Sequence, residues 1–200
     1  MRKVEEFPSA VDRAWPSPEV ATIETPFPLK IIGSAALMLQ TPHERGTKDS
    51  DVFETIELTP VMKRRLQLIA GKGTAVAVRH AMYIDVVHNG LPFLRQRSSW
   101  SSVTTTAAFR CFRLQALDPV DVVVSKLKRL SPNDLVDIEA MVDGGHVAHE
   151  SVITCFREAV DYFGYDARAD DLPEVVANLH RVERDIFGVD ETPIALPRWI

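Results

Sequence analysis

The feature that most constrains this chain is a change of pattern at about residue 117. Upstream of it, short β-branched or alternating runs are interleaved with helical stripes. Downstream of it, helical stripes follow one another with no strand pattern between them. Residues 29–32 form a β-branched run stopped by Gly33, and Ser34 is placed to cap a helix through Gln40 that ends at Pro42. A polar loop covers residues 41–48, and residues 51–58 alternate polar and apolar as a strand does. Thr59-Pro60 starts a helix with apolar positions Val61, Met62, Leu66, Ile69 and Ala70, closed by Gly71 and Gly73. Residues 74–81 fit helix and strand equally, 82–87 are β-rich, and 109–114 alternate again. Beyond Asp118-Pro119 come helices over about 118–130, 134–142, 149–163 and 172–187. Residues 1–28 hold five of the thirteen prolines and read as an irregular lead-in with at most a short helix at 9–14. The expected organisation is therefore a lead-in (1–28), an α/β core (29–117) and a helical C-terminal region (118–200), an α+β fold.

Composition removes several classes of protein. Lys and Arg total 23 against 28 Asp and Glu, a net charge of −5, which argues against a basic coat for duplex DNA. No run approaches the roughly 20 apolar residues of a membrane span. The early positive charge of Arg2 and Lys3 has no apolar core behind it, so no secretory signal is expected. Cys111 and Cys155 are too few and too far apart for a disulfide framework and fit free thiols of a reducing cytoplasm.

The residues that suggest chemistry are Gly33-Ser34, then Arg45-Gly46-Thr47-Lys48-Asp49-Ser50-Asp51, then Asp85. Asp49 and Asp51 stand two apart at a strand start, so both carboxylates project from one face. Carboxylates so close repel unless a cation lies between them. A hard divalent ion such as Mg²⁺, which binds one or two carboxylates together with substrate phosphates, suits that arrangement. Asp85, on a neighbouring strand, is placed to hold metal as a third carboxylate or to act as base on an attacking hydroxyl. Gly33-Ser34 at a strand-to-helix turn offers free amides and a helix N-terminus to an anion, and Arg45 and Lys48 add positive charge.

On these residues the sequence resembles the nucleotidyltransferase superfamily, in the branch of AbiEii-like and related proteins. There a Gly-Gly or Gly-Ser pair precedes an Arg-x-Thr-x-Asp-x-Asp motif, matched here by Gly33, Ser34, Arg45, Thr47, Asp49 and Asp51. The resemblance continues through the Asp85 strand, through Lys126-Leu127, and through Asp134-x-x-Asp137, covering roughly residues 28–145. Ser34 stands where a second glycine is frequent, and Asn133 where a basic residue is frequent. The resemblance implies a DNA polymerase beta-like mixed sheet flanked by helices, with a helical C-terminal region. It implies Asp49, Asp51 and Asp85 as catalytic carboxylates and ligands of Mg²⁺ or Mn²⁺. It implies Gly33, Ser34, Arg45, Thr47 and Lys48 around an NTP, Lys126 reaching a phosphate, and Asp134 orienting that lysine or the loop. The activity implied is transfer of a nucleoside monophosphate to an acceptor hydroxyl on a tRNA, a protein or a small molecule. Toxin-like relatives with an antitoxin partner belong to the same branch. A non-catalytic nucleotide-binding or interaction module, and a phosphotransferase moving the γ-phosphate, stay open as alternatives.

Other residues read first as structure. His146 and His149 with Glu150 match no zinc-protease order. Residues 98–102, four serines around Trp100, read as a surface loop, with contact to an acceptor or stacking of a base as the functional alternative. Arg95, Arg97, Arg110 and Arg113 read as a solvated face, with a groove for a triphosphate or RNA backbone as the alternative.

Overall fold

A computed structural model describes residues 2–16, 26–105, 108–166 and 169–196. The elements in chain order are α1 (Lys3–Ala14), β1 (Phe27–Ile32), α2 (Gly33–Gln40), β2 (Asp49–Phe53), α3 (Pro60–Ala70), α4 (Ala75–His80), β3 (Tyr83–Val87), β4 (Trp100–Ser102), β5 (Phe112–Leu117), α5 (Pro119–Lys126), α6 (Pro132–Asp143), α7 (His149–Phe163) and α8 (Leu172–Val182). A 3-10 turn (Ala169–Asp171) precedes α8, and one π-helical turn (Glu183–Phe187) follows it. The fold is α+β, a five-stranded mixed sheet flanked by helices. Among the described residues no helix is long and apolar enough to cross a membrane. The chain divides into two units: residues 1–91 with 100–117, and residues 92–99 with 118–200.

The first unit holds the sheet, in the order β3-β2-β1-β5-β4. β1 runs parallel to β5 and antiparallel to β2, β2 runs parallel to β3, and β4 runs antiparallel to β5. Period-2 alternation sends Leu29, Ile31, Val52, Ile84, Leu114 and Ala116 to one face, where all are buried. α2 packs on β1, β2 and β5, and α3 and α4 pack on β3. The other face carries Lys30, Asp49, Asp51, Phe53, Tyr83, Asp85, Gln115 and Trp100, none of them buried.

Several local expectations are corrected. Residues 3–14 of the supposed irregular lead-in are helical, although Pro8 lies inside the helix. Val4, Phe7 and Val11 form an i, i+3, i+7 stripe that is buried, as is Trp15 just beyond it. At about 1.5–3 kcal/mol for each large side chain, that burial outweighs the roughly 3 kcal/mol cost of an internal proline. The rest of that lead-in, residues 17–25, lies outside the described residues. Ser34 is not the cap of α2: Ile32 is the N-cap, Gly33 begins the helix, and the Ser34 hydroxyl accepts from Arg45. β2 starts at Asp49 and ends at Phe53 rather than spanning 51–58. Beyond it, Lys63 and His88 bond the Glu54 carboxylate and a turn from Thr55 to Leu58 takes over. The ambiguous segment 74–81 is α4, capped by Thr74, whose hydroxyl accepts from the Ala77 amide at 3.2 Å, and ended by Ala81 at φ +47°. The 109–114 strand lies three residues further on, as β5. Asp12 meets its start, accepting from the amides of Arg110, Cys111 and Phe112 at 2.9, 2.8 and 3.2 Å. Residues 100–102 of the supposed surface loop form β4.

The second unit is helical. Phe93 packs edge-on against Phe156 and Phe163, with ring centroids 5.5 and 5.3 Å apart. Ser131 and Asp134 close a reciprocal capping box at the start of α6.

Candidate active site

Asp49, Asp51 and Asp85 come together on the polar face of the first unit's sheet. The Tyr83 amide donates to the Lys48 carbonyl at 2.8 Å and so fixes where β3 begins to pair. From there the parallel register sets Asp49 opposite Tyr83 and Asp51 opposite Asp85. Neighbouring strands lie about 4.8 Å apart, so Asp51 and Asp85 are immediate cross-strand neighbours. Asp49 joins them because residues two apart on a strand share a face. Asp49 and Asp85 are exposed and Asp51 is half-buried. Tyr83 senses all three: burial raises its phenol above the usual value, and Asp49, Asp85 and Asp51 each raise it further.

Gly33 comes to this acidic face through the other edge of β2. Ile32 pairs with Asp51, and the next residue turns into α2 at φ +65°. A Cβ at Gly33 would lie 2.9 Å from the Asp51 Oδ2. The turn therefore needs glycine both for its left-handed backbone and for the space the carboxylate occupies. One residue on, the Arg45 guanidinium donates to the Ser34 hydroxyl at 2.6 Å, which ties the 41–48 loop to the start of α2. The Thr47 hydroxyl donates to the Asp49 Oδ1 at 2.8 Å and orients that carboxylate. Lys48 is exposed beside Asp49.

The donor set suits a hard divalent cation: oxygen ligands only, from adjacent positions of two parallel strands, in a field dense in negative charge. The side chains themselves are not drawn into a ligand cluster. Among the described residues no group of three or more His, Cys, Asp or Glu is arranged to hold a metal ion. What the strands fix is the row of Cα positions from which these carboxylates project.

This chain belongs to a family described as nucleotidyltransferase of unknown function (DUF6036). The family model matches residues 18–171, which include the Gly33 turn, the 45–51 motif, Asp85 and the 126–137 segment. The five-stranded mixed sheet flanked by helices agrees with a nucleotidyltransferase-like fold. No curated protein and no solved structure matches the chain.

The remaining expected site residues, Lys126 and Asp134, belong to the second unit. The Lys126 ammonium lies 2.9 Å from Asp134 Oδ1 and 2.9 Å from Asp137 Oδ2, all three residues buried. Asp134 also accepts from Arg129 and from the amide and hydroxyl of Ser131. Burial opposes ionisation of Asp134, but the bonds from Arg129, Lys126 and Ser131 outweigh it and hold the carboxyl well below its usual range. Here the Lys-Leu and Asp-x-x-Asp pattern encodes a buried ionic junction between α5 and α6.

Among the arginines, Arg95 in the second unit grips the fully buried Asp121 with two bonds of 2.9 Å, whereas Arg110 and Arg113 lie in the first unit. His149 is 2.8 Å from the buried Glu183 and so serves as a structural partner. Burial raises the Cys155 thiol, as do its neighbours Asp121 and Glu158, which is unsuited to a nucleophile. Sequence reasoning passed over Lys30 and Phe53, which share the acidic face. The signal was there in the alternation of β1 and β2, since Lys30 stands two residues before Ile32 and Phe53 two after Asp51.

Proposed function

We propose that this nucleotidyltransferase-family chain transfers a nucleoside monophosphate from an NTP to an acceptor hydroxyl, with Asp49, Asp51 and Asp85 as its carboxylates. The observation that supports this most is the Asp51–Asp85 register with Gly33 against Asp51. It brings a glycine turn of the kind that suits an anion beside a carboxylate pair of the kind that suits a cation. Mg²⁺ or Mn²⁺ held by Asp49, Asp51 and Asp85 would neutralise charge on the triphosphate and its leaving group.

The chain's own groups have separable tasks. The Gly33 turn and the N-terminus of α2 present amides to the phosphates, and the Ser34 hydroxyl with the Arg45 guanidinium adds donors at the same end. Thr47 holds Asp49 in one orientation, and Lys48 adds positive charge at the mouth. Asp85, exposed on β3, accepts the proton of the incoming hydroxyl. The acceptor oxygen bonds to the α-phosphorus, the bond from that phosphorus to the bridging oxygen breaks, and pyrophosphate leaves with its electron pair. Lys126 and Asp134 act in this reading as structural partners of each other.

The test uses NTPs labelled at the α- or the γ-phosphate, incubated with the protein, Mg²⁺ and separate pools of tRNA, protein and small-molecule acceptors. Label from the α-position should appear in one pool and disappear with the Asp49→Asn/Asp51→Asn double variant. Transfer of γ-label would establish the phosphotransferase alternative, and full α-label transfer by the double variant would remove the basis of the proposal.

A further inference from the structure

On the acidic face of the sheet, Phe53 and Trp100 form an aromatic pair that the strand spacing alone does not produce. β2 and β4 are separated by β1 and β5, which is three strand spacings of about 4.8 Å. Yet the two ring centroids lie 5.7 Å apart at 40°. The side chains therefore lean toward each other over the intervening strands. Lys30 of β1 places its ammonium over the Trp100 ring, 4.7 Å from the centroid. Neither ring is fully buried. This differs from the Trp15, Phe27 and Phe112 cluster of the same unit, which is closed off from solvent.

The pair stands next to the carboxylates. Phe53 is two residues beyond Asp51 on the same strand and face, about 7 Å along the sheet. That gap is one a ribose spans. Lys30 and Arg113 both help to hold Glu57 below its ordinary value, after the bonds Glu57 receives from its own backbone and from Thr55. In a chain of net charge −5, half-exposed aromatic rings, a lysine donor and a carboxylate pair thus lie in sequence along one face.

We infer that Trp100 and Phe53 form the stacking wall for the base of the bound nucleotide, with Lys30 as the donor at its edge, while the triphosphate lies toward Gly33 and Asp51. This rests on the nucleotidyltransferase reading and adds to it the place of the nucleoside. Aromatic rings accept any base because every base has a π-face. Lys30 carries donors and no acceptor, so it is the element that ranks bases by their carbonyl groups.

The test compares calorimetric binding of Mg²⁺ with non-hydrolysable ATP, GTP, CTP and UTP analogues, and of Mg²⁺ with inorganic triphosphate, to the whole chain. Trp100→Leu keeps apolar cover on the sheet and removes the π-face; Trp100→Phe restores a ring. The expected result is a loss of about tenfold in nucleotide affinity for Trp100→Leu, the scale of one base–aromatic stack. Triphosphate affinity should stay unchanged, and Trp100→Phe should recover most of the loss. Lys30→Gln should reorder the four nucleotides without altering triphosphate binding. Nucleotide affinity unchanged in Trp100→Leu, or nucleotide and triphosphate affinities falling together in Trp100→Leu and Trp100→Phe alike, would overturn the stacking wall. Failure of the wild-type chain to bind either ligand with Mg²⁺ would count against the nucleotidyltransferase reading itself and so is distinguishable.

Discussion

At Gly33 two requirements meet in one residue. Its φ of +65° is one that side-chain-bearing residues adopt at a cost of about 1–2 kcal/mol. In addition, a methyl there would push the Asp51 carboxylate away from its present position. Gly33→Ala should therefore lower stability by about that amount in urea unfolding, while reducing NTP turnover far more than the stability loss explains. Asp51→Asn is the complementary change. It removes a charge from the face without adding a heavy atom, so its urea midpoint should stay near wild type while kcat/KM for the NTP falls roughly a hundredfold or more. Equal turnover by either variant would separate the Gly33–Asp51 contact from function.

At the scale of elements, the sheet was readable where a β-branched run met a glycine or turn signal, and its strand bounds were unreadable where tertiary bonds set the limits. The β-branched run stopped by Gly33 and the β-rich 82–87 segment gave β1 and β3 nearly in place, whereas the alternating 51–58 and 109–114 segments gave β2 and β5 with shifted bounds. Asp85 was expected on a strand next to that of Asp51, but the register that sets the two opposite each other was not legible, because β3 lies thirty residues from β2 and tertiary contacts fix where it begins to pair. Three-residue β4 was hidden among serines; it forms because the hydrogen-bonding edge of β5 is there to pair with. The first half of α1, residues 3–8, was missed because Pro8 masked its stripe, whereas a short helix at 9–14 was read. That helix also carries Asp12, whose carboxylate satisfies three amides at the start of β5. Asp12→Ala leaves those donors without their acceptor and should cost about 3 kcal/mol in equilibrium unfolding. Asp12→Asn, which retains one carbonyl oxygen, should cost less. Matching losses for the two would show that the carboxylate does not organise β5.

At the scale of the whole molecule, the two units depend on different physics. The first exposes its carboxylates on a sheet face, whereas the second buries its ionic groups. Lys126 lies between Asp134 and Asp137, and Glu183 lies against His149 and the Thr192 amide. Burial opposes the charge on Asp134 and Glu183, and hydrogen bonds overcome it, so both carboxyls are held below their unfolded values. A depressed folded pKa contributes stability above the unfolded value, near 4 for a carboxyl, and that stability is lost as pH falls through the folded value. The denaturation midpoint of the second unit, followed by a probe placed within it, should thus decline from just above about pH 4 downward. Asp134→Asn should lower the midpoint at neutral pH and flatten the acid limb; an unchanged acid limb would mean that the Lys126 junction contributes little.

In the proposed reaction the Asp49, Asp51 and Asp85 row, beside the Gly33 turn, binds a divalent ion together with a nucleoside triphosphate. Calorimetric titration of a non-hydrolysable NTP, with Mg²⁺ or Mn²⁺ and then with chelator, into wild type and the Asp49→Asn/Asp51→Asn variant tests it most directly. Binding by the wild type should require the divalent ion and should be lost in the variant with its fold intact. Equal affinity with and without the ion, or undiminished ion-dependent binding by the variant, would contradict it.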